Sequence, residues 1–206
     1  MQTRMITADD PHAIDRATQT LQAGGLLAFP TDTVYGLAAH LLDPASIDRL
    51  YAVKDRDSTK AIPVLLSSPD ELAQVTAEMN VMALRLARRF WPGPLTLVVP
   101  RHPSLPDNLS NLPTIGVRMP DHPLALALMR RTGPLAVTSA NLSGAENTRT
   151  AQEVYAQLGG RIELILDGGR TPGGFPSTVV DCTAAEPAIL RQGPITAADL
   201  QQALAK

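Results

Sequence analysis

The residues best suited to chemistry gather in short polar stretches at the ends of apolar runs. Pro30-Thr31-Asp32-Thr33-Val34-Tyr35-Gly36 sets three hydroxyls and one carboxylate within seven residues, directly after Gly25-Leu26-Leu27-Ala28-Phe29. Lys54-Asp55-Arg56-Asp57-Ser58-Thr59-Lys60 brings three cations into another seven. Arg118 closes the run Thr114-Ile115-Gly116-Val117-Arg118, and Arg191 closes Ala188-Ile189-Leu190-Arg191. Ser139, Asn141, Ser143 and Gly144 follow the apolar run that begins at Leu135, and Ser177 stands just before Thr178-Val179-Val180. Hydroxyls and turn amides bind phosphate or carboxylate oxygens. Three cations from one loop match a triphosphate, at roughly 1.5–3 kcal/mol for each charged hydrogen bond. Plainer readings stand beside these: Ser and Asn cap turns, the cation run is a solvated helix exit, and a strand arginine points to water. A buried arginine, however, demands an anion, because an unpaired buried charge is very costly. Taken together the inventory suits a ligand rich in oxyanions.

Other chemistries find no support. No GxxxxGK[ST] loop, no GxGxxG after a strand, no HExxH and no GxSxG occurs. His12, His40, His102 and His122 lack metal-ligand spacing, and no metal site built from protein side chains is expected. The paired carboxylates of a glycosidase and the base-paired nucleophile of a hydrolase are missing. Cys182 is the single cysteine, so neither a disulfide nor a Cys-based zinc site forms within one chain. That fits a reducing cytosol. The N-terminus lacks the apolar core of a signal peptide, and no run approaches the ~20 apolar residues that span a bilayer. A cytoplasmic protein with no membrane partner is expected. A net charge of −2 gives no global mark of a nucleic-acid partner, though a local basic groove remains open.

The elements that must position these residues read from periodicity and punctuation. With 206 residues, 44% of them hydrophobic, the chain buries a sizeable core in one domain or a compact two-lobed unit. Helices are expected from Asp10-Pro11 to about residue 23, from Asp43-Pro44 onward, and near 79–90, 122–132 and 196–205. Ser68-Pro69-Asp70-Glu71 and Thr150-Ala151-Gln152-Glu153 read as capping boxes. Strands are expected at Leu26–Phe29, Ile62–Leu66, Leu95–Val99, Thr114–Met119, Leu135–Thr138, Ile162–Leu166, Val179–Cys182 and Ala188–Leu190. Helices and strands interleave, so the class is α/β or α+β. Two strands joined by a Pro-rich loop at 95–119 break the βαβ rhythm and predict a mixed sheet. Strand order does not follow from this pattern.

Seven ordered stretches, FPTDTVYGLAAH, KDRDSTKAIPVLL, FWPGPLTLVVP, TIGVRMPDHP, VTSANLSG, PSTVVD and ILRQGPI, resemble the YrdC-like family. They cover roughly residues 10–195, so the resemblance implies one YrdC-like domain over 1–206. It implies a twisted mixed sheet flanked by helices around a concave, positive groove. It also implies threonylcarbamoyl-AMP synthesis: L-threonine, bicarbonate and ATP, the last with Mg²⁺ and no organic cofactor, give L-threonylcarbamoyladenylate and pyrophosphate. The product serves threonylcarbamoyladenosine formation in tRNA, so tRNA or a downstream tRNA-modifying complex is an expected partner. By the same resemblance Thr33, Arg118 and Ser177 contact threonine. Arg56 and Lys60 face the nucleotide phosphates with Lys54 in support, Lys54 and Arg56 being the catalytic pair. Thr114, Ser139, Asn141, Asn147 and Arg191 complete the nucleotide side. Many members carry a histidine nine residues after the motif arginine. Leu65 stands there, which implies that one threonine contact is absent or replaced.

Two other functions compete. The groove serves equally as a non-catalytic RNA-binding module, with the hydroxyl loops on backbone and 2′-OH, although scarce aromatics, at 3%, count against sequence-specific reading. A carbamoyl-adenylate enzyme using carbamoyl phosphate is the third reading, since YrdC-like modules also occur in larger carbamoyl-transferring proteins.

Overall fold

The structure, a computed structural model, describes residues 1–205, which leaves Lys206 of the expected 1–206 domain outside it. The strands are β1 (Arg4–Thr7), β2 (Leu27–Pro30), β3 (Tyr35–His40), β4 (Val64–Leu65), β5 (Leu95–Pro100), β6 (Thr114–Arg118), β7 (Leu135–Ser139), β8 (Leu164–Asp167), β9 (Thr178–Asp181) and β10 (Ala188–Arg191). The helices are α1 (Ala13–Gln22), α2 (Pro44–Val53), α3 (Leu72–Val75), α4 (Val81–Phe90), α5 (Pro123–Thr132), α6 (Ala151–Leu158) and α7 (Ala197–Leu204). All ten strands join in one sheet of order β1-β8-β2-β3-β7-β4-β6-β5-β9-β10. Parallel pairs (β1/β8, β2/β8, β4/β6, β5/β9) mix with antiparallel ones, as the broken βαβ rhythm requires.

Local chemistry sets the helix ends. Asp43 accepts from the Ala45 amide at 3.1 Å, with Pro44 at the first helical position, to start α2. Asn80 caps α4 and ties it to β9 by donating to Cys182 O. The Thr196/Asp199 capping box opens α7. Two expectations need adjustment. The Ser68/Glu71 box is present, but it opens a single 3₁₀ turn at Pro69–Glu71 before the short α3. Thr150 does cap α6, accepting from Glu153 N, while the Glu153 carboxylate accepts from Arg149 N instead of closing a box. Two strands, β1 and β3, arise where no strand was expected.

Period-two alternation sends neighbouring residues to opposite faces. Leu26, Ala28, Leu37, Ala39, Val64, Leu97, Val117 and Ile165 belong to one core, packed under α2, α4, α6 and α7. Leu27, Phe29, Ala38, Leu65, Leu135, Val137, Leu164 and Leu166 belong to a second, under α1 and α5. That second core stops at β4. On the same face, β6, β5 and β9 carry Thr114, Gly116, Arg118, Thr96, Val98 and Val179, and no helix covers them.

At Gly36 an added Cβ would lie 2.8 Å from Val137 Cγ1. Gly36→Ala therefore overpacks the junction between the second core and the uncovered face, and should cost about 1–3 kcal/mol. Thermal melting should fall by roughly 2–4 °C for each kcal/mol lost. Adding Val137→Ala should recover part of it. A Gly36→Ala variant that melts like the parent contradicts this packing.

Candidate active site

The uncovered sheet face is the floor of a cavity of about 390 Å³. Its walls are the Thr31–Gly36 segment, Arg56 and Ala61, the end of β7 at Val137-Thr138-Ser139 with Asn147, and Pro176-Ser177 with Leu190 and Arg191.

One corner is built on Arg118. The side chain is buried, and three of its five N–H groups already have acceptors. Nε donates to Gly93 O at 3.0 Å, Nη1 to Thr33 Oγ1 at 3.0 Å, and Nη2 to Asp32 Oδ1 at 2.5 Å. Burial lowers the Arg118 pKa, and Asp32 opposes that shift. The hydroxyls have a fixed order. Thr31 donates to Val34 O at 2.7 Å, so the proton in the 2.9 Å Thr31–Thr33 contact comes from Thr33. Thr33 Oγ1 accepts from Arg118 and gives its proton to Thr31. What it has left is a lone pair, so toward a ligand it acts as an acceptor.

The loop after β8 holds this corner from outside. Gly174 N donates to Thr33 O at 2.8 Å, and Tyr35 Oη donates to Gly169 O at 2.7 Å. Burial first, and the Asp167 charge second, push the Tyr35 hydroxyl pKa upward, so it stays a donor. Any side chain at Gly173 would come within 2.8 Å of the Thr33 backbone, which accounts for glycine there.

Across the floor, Arg191 donates through Nε and Nη2 to Ser177 O at 3.1 and 2.8 Å, and Ser177 Oγ lies 2.8 Å from Thr96 Oγ1. Arg56 donates to Ala61 O at 3.0 Å. Burial lowers the Arg191 pKa, and the Arg56 charge lowers it further. Arg118 in turn feels Arg191. Three guanidiniums thus repel one another around one cavity. Among the described residues only Arg118 of the three has a carboxylate within ion-pair distance. The chamber carries uncompensated positive charge and matches a polyanion.

Of the residues singled out in the sequence, Thr33, Arg56, Thr114, Arg118, Ser139, Asn147, Ser177 and Arg191 line this cavity, as does Leu65 in register beside Arg118. Three do not. Lys60 is exposed and outside the lining. Asn141 is buried, its amide donating to Leu142 O and Ala145 O. Lys54 is the main correction. Expected in support of Arg56 and Lys60 and in the catalytic pair, it is wholly buried, with Nζ bonded to the backbone carbonyls of Ser139 and Asn141. Sequence reasoning missed Thr96 and the part played by Asp32. Thr96 shows a signal after the fact, being the one polar residue in Leu95–Val99. The Asp32–Arg118 pair spans 86 positions and leaves none.

A family model described as "Telomere recombination", of the Sua5, YciO and YrdC group, matches residues 19–193. A threonylcarbamoyl-AMP synthase of Bacillus subtilis is 41% identical over 194 residues, covering 93% of this chain and 56% of the relative. One of Pyrococcus abyssi is 39% identical, covering 89% and 55%. This chain therefore spans about half the length of these two. A putative threonylcarbamoyl-AMP synthase of Mycobacterium tuberculosis is 38% identical, covering 91% and 87%. Among solved structures, P. abyssi Sua5 complexed with L-threonine superposes with a TM-score of 0.94 at 37% identity, covering 98% of this chain and 61% of that one. Escherichia coli YciO gives 0.83 at 30% identity, covering 94% and 96%. With the sequence matches and the superposed fold in agreement, the chain belongs to the Sua5/YciO/YrdC family.

Proposed function

We propose that this chain is a threonylcarbamoyl-AMP synthase, joining L-threonine, bicarbonate and ATP into L-threonylcarbamoyladenylate and pyrophosphate. The observation that carries the reading is the convergence of Arg56, Arg118 and Arg191 on one concave cavity with a single carboxylate behind them. The names of the relatives support it. A concave pocket of about 390 Å³ has the size for small ligands, which favours this reading over the RNA-binding alternative.

Threonine takes the Arg118 corner. Its carboxylate meets the unused N–H groups of Arg118, and its hydroxyl or amine donates to Thr33. Its methyl group rests on the apolar floor at Leu65 and Val137. ATP takes the other side, its phosphates between Arg56 and Arg191 with Ser139 and Thr114 nearby, and its base against Leu112 and Leu190 at the rim. The threonine amine and bicarbonate condense to N-carboxythreonine with loss of water. The new carboxylate attacks the α-phosphorus, and the bond to pyrophosphate breaks. Two anions must meet, at about 4 kcal/mol of repulsion at 4 Å for an effective dielectric near 20. The arginines offset that cost. The nucleophile is already an anion, so positioning and electrostatics do most of the catalysis. Mg²⁺ is proposed to enter on the ATP phosphates, where it neutralises charge on the leaving pyrophosphate. Among the described residues no helix is long and apolar enough to cross a membrane, and we infer action in the cytoplasm. There the adenylate passes to the tRNA-modifying step.

Pyrophosphate release with each substrate omitted in turn is the direct test. All three are required on this reading, and release without threonine contradicts it. Thr33→Val removes an acceptor from both the ligand and Arg118, so the threonine KM should rise by tenfold or more while the ATP KM holds. An unchanged threonine KM removes Thr33 from the site. Arg56→Ala should lower kcat/KM for ATP by more than tenfold, about 1.4 kcal/mol. Arg56→Lys should recover only part, because charge survives but the planar fork does not. Near-wild-type kcat/KM in Arg56→Ala would make this arginine a surface residue, worth only ~0–1 kcal/mol.

A further inference from the structure

Lys54 stands at the C-terminal end of α2 and is wholly buried. Among the described residues no carboxylate lies within ion-pair distance of it. A buried ammonium without a counter-ion is costly and is kept only where something compensates it. Burial, with the Arg56 charge adding to it, holds the amine's pKa down to about 7.

Backbone does the compensating. Nζ donates to Ser139 O at 2.5 Å and to Asn141 O, while Lys54 O accepts from Ser143 N at 2.9 Å. Three bonds thus wrap the turn after β7 around this one residue. Between them, Ala140 N donates to Tyr35 O at 2.8 Å and Ala140 O accepts from Thr148 Oγ1 at 3.0 Å. Two carbonyls two residues apart converge on one side-chain nitrogen, Lys54 Nζ. That fixes the course of the backbone just where Thr138 and Ser139 reach the cavity wall.

We propose that Lys54 is a positioning residue whose side-chain nitrogen gathers the Ser139 and Asn141 carbonyls and so sets the end of β7 and its exit turn in the shape that receives the nucleotide. The inference rests on the nucleotide assignment made above. It moves Lys54 from the catalytic pair to the scaffold behind the nucleotide. The Arg118 side chain shares none of these three bonds and the turn meets the threonine corner only through the Ala140–Tyr35 backbone bond, so the larger effect falls on the nucleotide side.

Calorimetry on the full chain separates the possibilities, with Mg·ATP alone and L-threonine alone as probes. Lys54→Met fills the space without a donor. Lys54→Gln removes the charge and keeps only a neutral donor on a shorter stem, and it carries the test if Lys54→Met does not fold. In folded variants Mg·ATP should bind more than tenfold more weakly, with threonine affinity within about twofold of wild type. Hydrogen exchange of the 139–145 amides should quicken. Mg·ATP affinity that is unchanged, or that falls in step with threonine affinity, overturns the positioning role. Wild-type protein that binds no Mg·ATP at all overturns the nucleotide assignment and this inference with it.

Discussion

A guanidinium taken out of water must be given acceptors, and the site depends on how Arg118 receives them. Its three partners come from two distant parts of the chain: Asp32 and Thr33 after β2, and Gly93 before β5. They meet only if β6 is seated between β4 and β5 and if β2 ends at the cavity edge. Removing one partner of such a buried pair costs far more than the pair contributes to stability. The network is therefore better understood as fixing a geometry than as holding the fold together. It leaves a half-neutralised cation with free N–H groups, beside a hydroxyl restricted to accepting.

The site's position follows from an unfinished layer. Ten strands offer two faces, and helices cover one of them across most of its width. On the other, α1 and α5 cover only the β1-to-β4 side. The exposed remainder would be a liability if it were apolar. Instead it carries Thr96, Thr114, Gly116 and Arg118, with Ser177 and Arg191 at its border. Small and hydroxylated residues leave room for a ligand, and the arginines supply charge that the protein itself does not cancel.

Much of this was legible in the sequence, and the failures have physical causes. Helices announced themselves through Asp43-Pro44 and Thr150, whose side chains do cap them. The mixed sheet followed from two strands in succession at 95–118. β3 was hidden because Tyr-Gly-Leu-Ala-Ala-His holds a glycine, two alanines and a histidine, and only central burial makes a strand of it. Arg4–Thr7 was hidden as a four-residue edge strand. Lys54 and Arg56 look alike in sequence, two residues apart. Asp55, at a φ of 51° between them, turns the chain so that one points inward and the other into the cavity. No spacing rule reports that turn.

The central claim is that one cavity holds an amino acid on Arg118 and a triphosphate between Arg56 and Arg191 at the same time. A crystal structure of the chain with L-threonine and a non-hydrolysable ATP analogue tests it most directly. The account predicts the threonine carboxylate within hydrogen-bond reach of Arg118, its hydroxyl or amine on Thr33, and the phosphates between the other two arginines. A nucleotide bound elsewhere on the surface, or threonine held away from Arg118 with the Asp32 pair facing an empty corner, would contradict it.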